Sequence, residues 1–220
     1  MDFSGVRIKC AWSYHGSRKS SVGSKKISKR SSEIHLDGVV TFCEQNVFVA
    51  SRLVDELGTV GIPLAIAEQV KNKATVRDIC REHGLPYIRH KLIQTETDAQ
   101  EVIKDFQFPV VIKPVRGFAS GFVRKVEDRT SFLNTLQEMQ AEFVRAELDA
   151  GYSADILVEE YIEGDEVDID ILMQEGEMKF FSITDNFKTL EPFFIETGQI
   201  IPSTLPKHQQ QALVDVAEKL

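Results

Sequence analysis

The sequence lacks the marks of a secreted or membrane-spanning protein. Its three cysteines, Cys10, Cys43 and Cys80, are odd in number, far apart and without a Cys-x-x-Cys pair, which excludes a disulfide framework and a zinc knuckle. A reducing compartment, the cytoplasm, is the expected setting. Unbroken apolar runs such as residues 110–112 fall far short of the roughly 18 that span a bilayer, so neither a transmembrane helix nor a membrane partner is expected. No apolar stretch follows the N-terminal basic residues, which excludes a secretory signal. Glycine (13) and proline (7) are too few for a collagenous or low-complexity chain. What is there, 42% hydrophobic and 27% charged residues, is an ordinary globular composition, and a chain of this length buries about 70% of its unfolded surface without staples.

Basic residues are scarce outside the head of the chain. Residues 1–30 hold eight Lys and Arg against the single acid Asp2, so they carry +7, and the remainder carries −15 of the net −8. An acidic body excludes bulk nucleic-acid binding, which needs a basic face. The head, residues 1–35, is Ser-rich and almost free of large apolar side chains. It cannot order itself by burial, and it reads as a disordered basic tail, with a transit peptide and a misplaced gene start as the alternatives.

From residue 36 an order of elements is legible. Residues 39–42 read as a short strand and 47–57 as a helix stopped by Gly58. Residues 61–63 are a turn. Val76, Ile79, Cys80 and His83 recur at helical spacing over 75–83, with Gly84 as the stop. Residues 87–93 alternate like a strand, 98–106 form a helix, 109–113 a buried strand and 122–126 another. The long helix of 128–148 buries Phe132, Leu133, Leu136, Met139, Phe143 and Val144. Three β stretches, 156–161, 167–173 and 178–184, precede a last helix with Ala212, Leu213, Val216, Ala217 and Leu220. The class is α/β (α+β). The five histidines lack an i, i+4 pair and read as surface or cap residues, while Cys43 and Cys80 read as core fillers.

Two segments carry chemistry. Lys113 ends an apolar strand and is followed by Gly117, Ser120 and Gly121. A lysine beside a small-residue turn with exposed backbone N–H groups can hold phosphate oxygens by charge and hydrogen bonds together. The same residues also suit a plain hairpin whose glycines supply positive φ, with Lys113 solvated. About forty-five residues on, Glu159 and Glu160 lead through Ile162 to a Gly164 turn and then Glu166. Free backbone groups beside an apolar wall suit an adenine edge, and Glu166 suits a ribose. In the following strand Val167, Ile169 and Ile171 face one way and Glu166, Asp168 and Asp170 the other, which equally describes a strand with a solvated acidic face.

Together these segments resemble the ATP-grasp superfamily. Asn72-Lys73-Ala-Thr-Val-Arg77 with Gly84-Leu85-Pro86 is similar to the family's lysine-bearing helix and the turn after it. Residues 109–123 are similar to its strand and flexible phosphate loop, and 158–166 to its adenine hinge. Residues 182–186, with 192–198 and Ile201-Pro202, resemble the carboxylate–amine (amino-acid) ligase branch that includes dipeptide synthetases and carnosine synthase. Residues 37–44 resemble the D-G-V-x-T-x-x-E of that branch's preceding domain. Phe122 departs from the pattern, standing where the loop's later glycine belongs.

The resemblance implies an ATP-grasp fold, two α+β subdomains clasping ATP, preceded by the remnant of a Rossmann-like domain. The expected divisions are 36–70 for the remnant, 71–161 for the first subdomain and 162–220 for an incomplete second one. ATP and Mg²⁺ are the implied cofactors. Lys73 and Lys113 would contact the phosphates or the adenine edge. Gly117, Ser120 and Gly121 would close over the phosphates. Glu159, Glu160 and Ile162 would meet the adenine, the last two through backbone atoms, and Glu166 the ribose. The family's metal ligands lie on strands after the last helix, so they are expected beyond Leu220, in a chain cut at its C-terminus and inactive alone. No nucleophilic side chain is implied. The expected activity of the parent is ATP-dependent amide formation from a small carboxylate and an amine, with amino acids as the expected substrates. Biotin carboxylase or carbamoyl-phosphate synthase chemistry and a non-catalytic ATP-binding remnant are the alternatives, and a homo-oligomer is compatible with all of them.

Overall fold

A computed structural model describes residues 36–145, 153–188 and 191–220; the basic head lies outside them. The elements run α1 (Val47–Leu57), α2 (Leu64–Val70), α3 (Lys73–Glu82), β1 (His90–Ile93), α4 (Glu96–Asp105), β2 (Val110–Pro114), β3 (Arg124–Val126), α5 (Arg129–Arg145), β4 (Ile156–Glu160), β5 (Glu166–Gln174), β6 (Glu177–Lys188), β7 (Glu196–Ile200) and α6 (Lys207–Ala217). Among the described residues two sheets form, in the orders β1-β4-β2-β3 and β5-β6-β7, and every strand pair in them is antiparallel. The chain is therefore α+β.

The first sheet holds the core. In β2, Val110, Ile112 and Pro114 are buried while Val111 and Lys113 between them face the other side, the period of a half-buried strand. Val110 and Ile112 meet Val126, Ile156 and Val158 of neighbouring strands, Ala99 and Val102 of α4, and Phe132, Leu136, Met139 and Phe143 of α5. Each such side chain contributes about 1.5–3 kcal/mol on burial. Local signals start the two helices. Thr95 and Asp98 form a reciprocal capping box on α4, and Asp128 accepts the N–H groups of Thr130 and Ser131 at 2.8 and 2.9 Å ahead of α5.

Several expectations are corrected. Residues 39–42 form no strand: only Gly38 makes an isolated parallel bridge, to Val60, and Val40 and Phe42 are 77% and 98% exposed. An apolar run without a paired neighbour among the described residues has nothing to build a ladder on. Helix α2 and strand β7 were not anticipated. The expected helix residue Val144 has no described side chain, and residues 146–148 lie outside the described residues. Cys80 is buried, but Cys43 is exposed. His90 is not at the surface; its side chain is 8% exposed, with Nε2 3.5 Å from Asp78 Oδ1.

Candidate functional site

The face of the first sheet opposite the core carries the charges. Helix α3 begins at Lys73 because Asn72 caps it, its side chain accepting the Thr75 N–H at 3.1 Å. The Lys73 N–H donates to the Val115 carbonyl at 3.1 Å, just past β2. This seats the first turn of α3 on the β2–β3 hairpin, and Lys73 Nζ donates to the Gly117 carbonyl at 3.2 Å. One turn later on the same face, Arg77 Nε lies 2.9 Å from Glu159 Oε1. Lys113 pairs with the other oxygen, Oε2. The register explains this meeting: Val111 stands opposite Glu159 and Lys113 opposite Leu157, so Lys113 is a diagonal neighbour of Glu159.

Glu159 has a side chain only 4% exposed and Lys113 one only 13% exposed, so the solvated-lysine reading of the hairpin does not hold. Burial alone would raise the Glu159 pKa, but Lys113 and Arg77 hold it below the usual carboxylate range. Burial lowers the Lys113 pKa, opposed by Glu159. Burial, with Lys113 and Lys71 close by, lowers that of Lys73 to about 8. Two basic side chains, Arg77 and Lys113, thus contact one carboxylate, with Lys73 close by on the Gly117 carbonyl. This local excess of positive charge suits a polyanion.

The hairpin loop is built from unusual backbone. Ala119, Ser120 and Phe122 hold φ of 50°, 51° and 62°, a region that L-residues enter at a cost of roughly 1–2 kcal/mol each. Phe122, unsuited on local grounds to a glycine's place, is held there by its ring, which meets Phe143 edge-on at 5.1 Å and packs against the core. The loop's N–H groups are not all exposed: Gly121 N–H donates to the Phe118 carbonyl at 3.1 Å and Val123 N–H to the Ser120 carbonyl at 3.2 Å.

Glu160, Ile162 and Glu166 have surroundings of their own. The Glu160 N–H is taken by the Arg89 carbonyl at 3.1 Å. Ile162 is 63% exposed between the two sheets' strands. Glu166 stands on β5 opposite Asn186. Beside it Asn186 Nδ2 donates to Asp168 at 2.9 Å, and Gln199 Nε2 donates to Asn186 at 3.0 Å and to Glu196 at 3.1 Å. Burial, with Asp168 and Glu166 nearby, raises the Glu196 pKa. Among the described residues no group of three or more His, Cys, Asp or Glu is placed to hold a metal ion.

Two residues escaped the sequence reading. Arg77 lies in the quoted helix motif at i+4 from Lys73, a spacing that put it on the right face, but its partner is 82 residues away. Lys125, outside every motif, faces the same side as Glu159. It pairs with Glu191 at 2.8 Å and Glu127 at 3.0 Å and sits 4.2 Å from the Tyr161 ring centroid. Tyr161 Oη donates to Glu191 at 2.9 Å, so the segment after β6 is fastened to β3, where Arg124 and Phe193 also bridge.

Residues 106–220, more than half of the chain, match the family described as ATP-grasp domain. The chain is 25% identical over 200 residues to carnosine synthase 1 of Homo sapiens, covering 86% of this chain and 24% of that protein. It is 23% identical over 197 residues to alanine–anticapsin ligase of Bacillus subtilis strain 168, covering 83% of this chain and 41% of that protein. Its fold is similar to the crystal structure of an L-amino acid ligase from Bacillus licheniformis, with a TM-score of 0.76 at 24% identity over 91% of this chain and 47% of that one. The chain spans less than half the length of each of these relatives.

Proposed function

The chain belongs to the ATP-grasp family, and from that premise we propose that it supplies the nucleotide-binding part of an ATP-dependent carboxylate–amine ligase. The observation that carries this reading is the pairing of Arg77 and Lys113 with a single buried carboxylate, with Lys73 held on the Gly117 carbonyl of the adjoining β2–β3 loop. Such a cluster neutralises a polyphosphate without a nucleophilic side chain, and phosphoryl transfer depends mostly on positioning and charge. In this reading Lys73 and Lys113 hold the phosphates or the adenine edge, and Gly117, Ser120 and Gly121 close over them. Glu159, Glu160 and Ile162 meet the adenine, Glu160 by a group other than its N–H, and Glu166 meets the ribose. Mg²⁺, when bound, would neutralise the β- and γ-phosphates. Amino-acid substrates are supported by the relatives' names, carnosine synthase, alanine–anticapsin ligase and L-amino acid ligase. No helix among the described residues is long and apolar enough to cross a membrane; the cytoplasmic reading rests on the cysteines.

The overall reaction forms a bond from a substrate carboxylate oxygen to the γ-phosphorus while the bond to the ADP oxygen breaks. The amine nitrogen then attacks the acyl carbon, phosphate leaves, and the nitrogen gives up a proton.

ATP titration of the chain tests the nucleotide site. Lys113→Met keeps the stem and removes the charge, and the loss of one charge-assisted contact should weaken ATP by about 1.5–3 kcal/mol, on the order of tenfold or more. Lys104→Met, on an exposed stretch of α4, is the matched control. Equal losses in the two variants would show the site assignment to be wrong. Amine-dependent release of ADP and phosphate with amino-acid pairs is the expected signature of the whole ligase; release driven by bicarbonate without an amine would place it with the carboxylases instead.

A further inference from the structure

Arg77 is one of two basic side chains on Glu159, and the nucleotide reading above gives it no contact of its own. The Glu159 carboxylate is 4% exposed, with one cation on each oxygen, Arg77 Nε on Oε1 and Lys113 Nζ on Oε2. A buried carboxylate stripped of its partners is strongly destabilised. Lys113 alone would therefore be bound to Glu159 and unable to turn its charge to a phosphate. Arg77 carries a permanent charge from a helix whose first turn is fixed by the Asn72 cap and the Lys73 N–H bond to Val115. Two other basic side chains near Glu159 have partners of their own. Lys73 Nζ donates to the Gly117 carbonyl and is given to the nucleotide in the reading above. His90, opposite Glu159 in register, is turned to Asp78 and to the Ile88 carbonyl at 3.3 Å.

We propose that Arg77 is a positioning residue for the nucleotide site, the standing counter-ion of Glu159 that releases Lys113 to a phosphate oxygen. This rests on the ATP-binding reading above. The test is a double-mutant cycle on the full chain, with ATP affinity as the readout and thermal melting as a check on folding. Arg77→Gln should weaken ATP on the order of tenfold, and Arg77→Lys, which keeps the charge, should restore affinity to within about threefold. In a Glu159→Gln background, where no carboxylate needs balancing, Arg77→Gln should change affinity by less than about twofold. If Arg77→Gln costs as much in that background as in the unchanged chain, Arg77 acts on the nucleotide or the fold directly and the proposal is overturned. Should Arg77→Gln not fold, an affinity loss in Arg77→Lys as large as that of Lys113→Met overturns it equally. Normal binding by folded Arg77→Gln overturns this inference alone, whereas no ATP binding by the unchanged chain overturns the nucleotide reading and this inference with it.

Discussion

The two sheets are built from similar strands and kept in different ways. The four-stranded sheet is sandwiched on one face by α4 and α5, and its inward residues Val110, Ile112, Ile156 and Val158 are at most 1% exposed. The β5-β6-β7 sheet buries Ile183, Thr184 and Asn186, yet leaves Phe180, Phe181 and Phe187 43–54% exposed. It is anchored by polar links: Asp185 accepts from the Ser203 and Thr204 hydroxyls and from the Thr204 N–H at 2.8 Å, and these bonds hold its pKa down. The charged cluster stands on the densely packed sheet. A site that gathers basic side chains at a buried carboxylate needs strands that cannot yield, and close packing supplies that stiffness.

The sharpest way to break this contrast is a matched pair of truncations. Phe132→Ala, in the core under the first sheet, should cost about 3–5 kcal/mol. Phe181→Ala, 43% exposed, should stay within about 1 kcal/mol; chemical denaturation measures both, and equal costs would erase the distinction. A pH titration then probes the stiff sheet's charges. Lys73, with a folded pKa of about 8, is charged at pH 7 and loses its proton as pH rises through 8, while the unfolded chain keeps it until roughly 10.4. ATP affinity should therefore fall on the order of tenfold between pH 7 and 9. The stability contribution of this group moves the opposite way, rising from about pH 8 to 10.4 because the unfolded state binds more protons there. Lys73→Met should remove both trends. The smallest expected effect is at the seam: Glu191→Gln loosens the contacts to Lys125 and Tyr161, and as a partly exposed ion pair it should cost less than about 1 kcal/mol in Tm-derived stability.

The sequence was most legible where one residue decides the local structure. Gly58 ends α1 with φ of 62°, and Asp128 starts α5 by capping. Both signals are contained in a few neighbouring residues. Strand β7 was invisible because Glu-Thr-Gly-Gln-Ile has no apolar alternation; it is a strand because β6 offers it an edge. Helix α2 has seven residues and follows directly on Pro63, too short for a periodic face to show. The same division runs through the site. The strand-end position of Lys113 was legible, but its pairing with Glu159 depends on β2 lying beside β4, and the Arg77 contact on α3 lying across both. Phe122 was read by its own backbone preference, and its position was decided by Phe143 on another element.

That ring also fixes a length. The loop's near end is clamped where the Arg116 N–H donates to Ser153 Oγ at 3.3 Å and the Arg116 carbonyl accepts the Ser153 N–H at 3.0 Å, and its far end where Phe122 meets Phe143. Between the clamps lie residues 117–121, and at 3.3–3.6 Å per residue the chain from 116 to 122 has a contour of about 20 Å, so its tip can rise about 10 Å at most. A tether of this span can fold over a group seated against the strand ends and cannot follow one that sits farther out. Moving the second clamp along the chain would change how far the loop reaches before it changed how tightly anything is held.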